Sequence, residues 1–153
     1  MQNRRVAVRG MILKDDKLLC VRLKKYQGKA TDDGQDYWCT PGGGVDVGEP
    51  IILALERELI EELGVKPVVG NLLYIQQFEH DGTEHLEFFF HVANAQDYKN
   101  IDLSTTTHGA IEIAEINFID PLASTLLPAF LTQQNIAADV ANGQTKFFNY
   151  INS

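Results

Sequence analysis

From Pro41 to Val65 the chain reads PGGGVDVGEPIILALERELIEELGV. Three consecutive glycines, Gly42, Gly43 and Gly44, end a short apolar stretch, Tyr37 to Thr40, that reads as a strand. The segment after them has helical spacing. At about 100° per residue, Ile52, Leu55, Leu59 and Leu63 fall in a stripe some 80° wide, the face expected to meet a core. Pro50 suits the first helical position and Gly64 the C-cap, so a helix is predicted over 49–63. Pro67 follows where a chain leaving a helix tolerates it.

Glu58, Glu61 and Glu62 gather on another face, about 110° round the same helix, which is expected to be open to solvent and ligand. Like charges at i+3 and i+4 destabilise a helix by a few tenths of a kcal/mol per pair. They also stand near the helix C-terminus, the unfavourable end for anions. Local rules are broken twice in one place, which is characteristic of functional sites. The plain alternative is a solvated acidic face. Against it stand the glycine run, which lets backbone approach a ligand closely, and Arg57 beside the cluster. Hard oxygen ligands on one face suit Mg²⁺ or Mn²⁺, which keep waters and also bind substrate phosphates. No Cys/His set has zinc spacing.

The order Gly43, five residues, Glu49, seven residues, then Arg57-Glu58-Leu59-Ile60-Glu61-Glu62-Leu63-Gly64-Val65 resembles the Nudix box at every defined position. The lead-in Trp38-Cys39-Thr40-Pro41-Gly42-Gly43 is similar to that family's too. The resemblance implies an α/β fold of the Nudix type, an α/β/α sandwich with a mixed β-sheet. It implies Mg²⁺- or Mn²⁺-dependent hydrolysis of a diphosphate bond in a nucleoside diphosphate linked to another group. Glu58, Glu61 and Glu62 match the metal-binding positions, and Glu58 or Glu62 also matches a group that helps activate water. The Gly42 carbonyl matches a possible metal ligand. Arg57 and Glu49 match a pair that orients the catalytic glutamates. The physics agrees: a metal neutralises diphosphate charge and lowers the pKa of bound water, while an always-charged arginine can hold a carboxylate bidentately. The other class of function is a catalytically silent nucleotide-binding module on the same fold. Such modules usually lose one of the glutamates, whereas this chain keeps all four.

Outward from the box, Arg4 to Leu13 and Leu18 to Leu23 read as a hairpin around Lys14-Asp15-Asp16-Lys17. The polar stretch Lys24 to Asp36 reads as a loop. Val68 to Glu79 and Leu86 to Ala93 read as strands around His80-Asp81-Gly82-Thr83, and Asn94 to Gly109 as a long polar loop. Ala110 to Ile119 is predicted as a strand holding Glu112 and Glu115, which a period of two points to opposite faces. Relatives often carry an extra glutamate in this region, which makes Glu115 a candidate catalytic residue and Glu112 an alternative. Arg22 is a candidate substrate contact, its strand lying near the substrate in relatives. His80, His85 and His91 read as turn and packed-strand residues rather than ligands. Asp120-Pro121 opens a helical C-terminal region, and Phe147 to Ile151 reads as a last strand or docked tail. That segment is apolar enough to be a candidate homodimer contact.

The chain's 153 residues suit one domain, residues 1–153. With 44% hydrophobic and 22% charged residues, the composition excludes a disordered, collagen-like or disulfide-scaffold protein. No apolar run approaches the ~18 residues a bilayer span needs, and Met1 to Arg5 is not followed by a signal-peptide core. Cys20 and Cys39, inside apolar segments, read as buried thiols of a cytoplasmic protein. The net charge of −8 lacks the basic footprint of a nucleic-acid polymer binder. A small anionic nucleotide remains accessible if a divalent metal offsets the repulsion. Two subfamily markers are missing. The place of a proline found in some ADP-ribose pyrophosphatases holds His80, and Asp81-Gly82-Thr83 stands where dinucleoside polyphosphate hydrolases carry a tyrosine. Nucleoside diphosphate sugars or nucleoside triphosphates are therefore the expected substrate class.

Overall fold

Alternating apolar residues and tight turns set the first half of the chain. In the computed structural model, which describes residues 3–26 and 36–150, β1 (Asn3–Met11) runs into β2 (Leu13–Lys14) and β3 (Lys17–Leu23). The expected turn lies between β2 and β3, with Asp15 and Asp16 at φ 53° and 60°. Aspartate tolerates this left-handed conformation, which matches the twist of a hairpin. The expected hairpin of 4–13 with 18–23 is cut down to β2 on β3, because β1 pairs instead with Gly42–Gly44 and Thr83–Val92 in another sheet. Next come β4 (Trp38–Cys39), β5 (Gly42–Gly44) and α1 (Ile51–Leu63). β6 (Val69–His80) and β7 (Thr83–Val92) form the second predicted hairpin, turning at Asp81-Gly82. The remainder is α2 (Gly109–Glu112), β8 (Ile113–Ile119), β9 (Leu126–Leu127), α3 (Ile136–Asn142) and β10 (Lys146–Asn149).

The strands divide between two sheets where the sequence suggested one. The first has the order β10-β6-β7-β1-β5, with β1 parallel to β7 and antiparallel to β5. The second has the order β2-β3-β4-β9, with β8 antiparallel on β3. Each sheet mixes parallel and antiparallel pairs. The first sheet is covered on both faces, giving the expected α/β layering. On one face Val8, Phe90 and Val92 pack with Leu55, Leu59 and Leu63 of α1. Gly10 lets the helix come this close: a Cβ there would lie 3.0 Å from Leu59 Cδ1. On the other face Met11, Tyr74 and Phe89 pack with Phe130, Leu131 and Ile136.

Three local expectations are corrected. Glu112 lies in the helical turn α2, so the two-residue period that set it opposite Glu115 does not apply. Ile52, assigned to the core stripe, is 47% exposed, because burial on α1 begins at Ala54. The region after Pro121 is mostly turns and short pieces, with α3 its one α-helix among the described residues. The C-terminal segment docks within its own chain: β10 lies parallel to β6, and Phe148 stacks on Phe130 at 4.3 Å. Phe147 remains exposed, and Ile151 lies outside the described residues.

The second core contains one polar lock. Asp139 is buried, accepts a hydrogen bond from the Tyr74 hydroxyl and pairs with Lys146 Nζ at 2.9 Å. Burial and the Asp139 contact both push the Tyr74 phenol well above its usual range. Tyr74→Phe leaves the buried carboxylate one partner short, at a cost of about 1–3 kcal/mol. Urea denaturation should show that loss; an unchanged midpoint would mean that Lys146 alone satisfies Asp139.

Candidate active site

Arg57 organises the face of α1 that the sequence marked. Its guanidinium has five N–H donors, and five hydrogen bonds use them. Nε donates to Glu49 Oε2 at 2.8 Å and Nη2 to Glu49 Oε1 at 2.9 Å. Nη2 also donates to the Gly44 carbonyl at 3.0 Å. Nη1 reaches Glu58 Oε1 at 3.0 Å and Glu61 Oε2 at 3.3 Å. Glu49 Oε1 further accepts from the Asp46 amide at 3.0 Å. The Arg57 hydrogen bonds, with that amide, hold the Glu49 carboxyl down at about 2.

The three helix carboxylates are not equivalent. Glu61 is the most open of them and also pairs with His108 Nδ1 at 3.0 Å. Glu58 is half-buried, and desolvation raises its pKa against the opposing pull of Arg57. Glu62 is buried at 6% exposure, contrary to the expectation of an open face. Its Oε2 accepts the Gly42 amide at 3.1 Å. Burial pushes its carboxyl up to about 8, with the Glu58 charge adding to the rise and the Gly42 amide opposing it. The signal was present: at 100° per residue Glu62 lies only about 20° from Leu55, on the flank of the acidic face next to the apolar stripe.

Glycines make this crowding possible. A Cβ at Gly43 would lie 2.5 Å from the Glu58 carboxyl, and one at Gly42, whose φ is 142°, would lie 2.0 Å from the Val8 carbonyl oxygen. A Cβ at Gly109 would lie 1.9 Å from the Glu62 carbonyl oxygen, so α2 packs directly against the end of α1. This contact brings His108 to Glu61 and Glu112 to the rim.

These groups line one side of a cleft of about 1020 Å³. Gly42, Glu58, Glu61, Glu62 and Arg57 all contribute to its wall, as does Glu112. Glu49 stands behind them, on Arg57. Arg22 and Glu115 do not line the cleft. They pair with each other at 3.4 Å across β3 and β8, and the Arg22 guanidinium lies 5.3 Å from the Trp38 ring centre. Of the histidines, His85 lines the cleft stacked on Phe78 at 4.7 Å, and His80 lies at its edge, largely exposed. Cys20 and Cys39 are free thiols, and burial raises the Cys39 pKa to about 11.

Sequence reasoning missed the sheet residues of the cleft. Arg5 and Arg9 of β1, Gln76 of β6 and Glu87 of β7 also line the cleft. Glu87 is buried and pairs with Arg9 at 3.9 Å. Gln76 is buried, and its Oε1 has no hydrogen-bond partner, a state costing on the order of 1–3 kcal/mol. The available signal was a polar residue interrupting an apolar face, since Tyr74, Gln76 and Phe78 share one side of β6.

The donor set can be tested against a divalent cation. Glu49, Glu58, Glu61 and Glu62 outnumber Arg57 in charge, and all offer hard oxygens. Glu58 and Glu62 are desolvated beside backbone that a side chain would displace. Among the described residues, no three His, Cys, Asp or Glu side chains form a ready-made cage. Mg²⁺ binds through one or two carboxylates together with waters and substrate phosphates, and these glutamates are donors of that kind.

Known proteins point the same way. The NUDIX domain family model matches residues 3–130. The chain is 42% identical over 65 residues to the 8-oxo-dGTP diphosphatase of Haemophilus influenzae, covering 40% of this chain and 47% of that protein. It is 40% identical over 68 residues to the ADP-ribose pyrophosphatase of Methanocaldococcus jannaschii, covering 44% and 37%. The matches thus span less than half the length of these curated relatives. The MutT NUDIX hydrolase of Burkholderia pseudomallei shares the fold, with a TM-score of 0.66 and 21% identity over 87% of this chain and 98% of that one. Among the described residues no helix is long and apolar enough to cross a membrane. With a family model covering most of its length, and a helix, glycine run and arginine hub arranged as its motif implies, this chain belongs to the Nudix hydrolase family.

Proposed function

We propose that the protein hydrolyses the diphosphate bond of a nucleoside diphosphate derivative, with Mg²⁺ or Mn²⁺ as cofactor and water attacking phosphorus. The observation carrying this reading is the gathering of Glu49, Glu58 and Glu61 round one guanidinium, with buried Glu62 beside them in the cleft wall. A divalent cation at such a site would supply Lewis acidity and lower the pKa of the attacking water. Glu58, Glu61 and Glu62, with the Gly42 carbonyl, are the residues that would hold it. Arg57 keeps Glu58 and Glu61 in place, and Glu49 fixes Arg57 through its two-oxygen contact. Glu58 or Glu62, once ionised, would take a proton from water, and burial makes Glu62 more basic than an ordinary glutamate. Glu112, on the rim, is better placed to approach substrate than Glu115, which faces Arg22. The relatives' names cover a modified nucleoside triphosphate and ADP-ribose, both of which contain the diphosphate linkage this reading requires.

Glu62→Gln should keep the fold and lower turnover by about 10²-fold or more, a loss typical of removing a strong transition-state contact. Wild-type turnover at saturating Mg²⁺ would remove Glu62 from the machinery. Hydrolysis in ¹⁸O-labelled water should place the label in a phosphate-bearing product; label on a sugar carbon would refute attack at phosphorus.

The raised Glu62 pKa also fixes a stability profile. Folded Glu62 titrates at about 8, against 4.5 for an ordinary glutamate. Between those values the folded protein binds more protons than the unfolded chain, so metal-free stability falls as pH rises through that window. A bound cation needs the ionised carboxylate, so the melting shift produced by Mg²⁺ should grow as pH rises over the same window. Glu62→Gln should flatten both trends. A Mg²⁺-insensitive melting curve at pH 8 would count against the metal site.

A further inference from the structure

The cleft has a second polar end that the diphosphate chemistry does not use. Gln76 and Glu87 are cross-strand partners on β6 and β7, at 6% and 7% exposure. Both line the cleft. Gln76 Oε1 is buried with no partner, and the one ion pair of Glu87, to Arg9, is longer than a hydrogen bond. This end is therefore lined by side chains that carry an amide oxygen and a carboxylate, and the amide oxygen has no partner within the protein. Phe78 and His85, the next cross-strand pair along the same face, form a parallel aromatic wall with ring planes 5° apart. Arg9 separates this end from the acidic face: it pairs with Glu87, sits opposite Gly42 in the β1–β5 register, and its charge acts on both Glu58 and Glu62. From β6 to β5 is three strand spacings, roughly 14 Å at about 4.8 Å each. That is comparable to the reach of a nucleotide from its base edge to its diphosphate.

We propose that Gln76 and Glu87 form a base-recognition subsite that selects guanine-type nucleotides over adenine nucleotides. The inference rests on reading the cleft as a nucleotide site and goes on to name the base. Guanine presents a ring N–H and an exocyclic amine side by side. The two neighbouring donors match the two oxygens of Glu87, and the second amine hydrogen reaches Gln76 Oε1. Adenine sets one amine beside a ring nitrogen lone pair, which would face the Glu87 carboxylate in a desolvated pocket. Buried polar groups left unpaired by the wrong ligand are what make such sites selective. The aromatic pair favours a planar group over a sugar, whose hydroxyls could otherwise meet the same acceptors.

The test compares kcat/KM for GTP, ITP and ATP, and for GDP-mannose and ADP-ribose, in the wild-type protein, Gln76→Leu and Glu87→Gln. The expected wild-type preference for guanine over adenine is about 10²-fold or more, with ITP, which lacks the amine, roughly 10-fold below GTP. Gln76→Leu should shrink the GTP-to-ITP ratio towards unity. Glu87→Gln supplies a donor for the adenine ring nitrogen and should raise ATP relative to GTP. Each ratio is measured within one protein, so partial misfolding cancels. Turnover with no base preference, a preference that follows the sugar, or one unmoved by both variants overturns the inference while leaving the hydrolase reading intact. If the wild-type protein turns over none of these compounds, the hydrolase reading fails, and calorimetric binding of GDP, IDP and ADP decides the subsite by itself. GDP binding tightest, with the order lost in both variants, supports it; equal or absent binding overturns it.

Discussion

The site depends on one guanidinium. Arg57 commits all five N–H groups to two oxygens of Glu49, one each of Glu58 and Glu61, and the Gly44 carbonyl. Without that cation, Glu58 and Glu61 would repel one another on a helix whose C-terminal dipole already disfavours them. The contact to Gly44 also ties the helix to the edge strand β5. The arginine therefore sets both the charge balance of the acidic face and its distance from the glycine run. Lysine, a point charge without the planar fork, could not make the same set of contacts.

Close approach is the second constraint, and glycine supplies it at separate places. Gly10 admits Leu59, Gly43 admits the Glu58 carboxyl, and Gly109 admits the carbonyl end of α1. Together they let α1 be pressed between a sheet, an edge strand and a helical turn. The burial of Glu62 follows from that compression: the Gly42 amide can reach its oxygen, but water largely cannot. A carboxylate so placed holds a proton more tightly, which is useful only if a cation or a reacting water meets it in the cleft.

The cleft is chemically divided. Its α1 side gathers anions, and its β-sheet side carries Arg5, Arg9 and the buried pair Gln76 and Glu87. Arg9 stands between the two, so each side is electrostatically coupled to the other through it. A sheet face covered on both sides has few places for unsatisfied polar atoms. The partnerless oxygen of Gln76 stands in one of those few places, the stretch where the second core gives way to the cleft.

The motif from Gly43 to Val65 was legible because it is local. The glycines, the helix and its Gly64 cap, and the spacing of Glu49, Arg57, Glu58, Glu61 and Glu62 all lie within one continuous stretch. The β6–β7 hairpin could be read for the same reason, its turn being written in Asp81-Gly82. Of the first hairpin only the Asp15-Asp16 turn was legible, since the long strand before it pairs in the other sheet. Only the tertiary structure decided what distant segments do to one another. It closed the hydrophobic seam over Glu62 and brought His108 to Glu61. It turned Glu112 towards the cleft on a helical turn that Gly109 allows, and left Glu115 against Arg22 on neighbouring strands. It also joined Gln76 to Glu87 across a hairpin and brought them into the same cleft as the helix motif. Local propensity and periodicity are carried by neighbours in the chain, whereas burial, ion pairing and the lining of a cleft belong to surfaces that exist only after the sheets have formed.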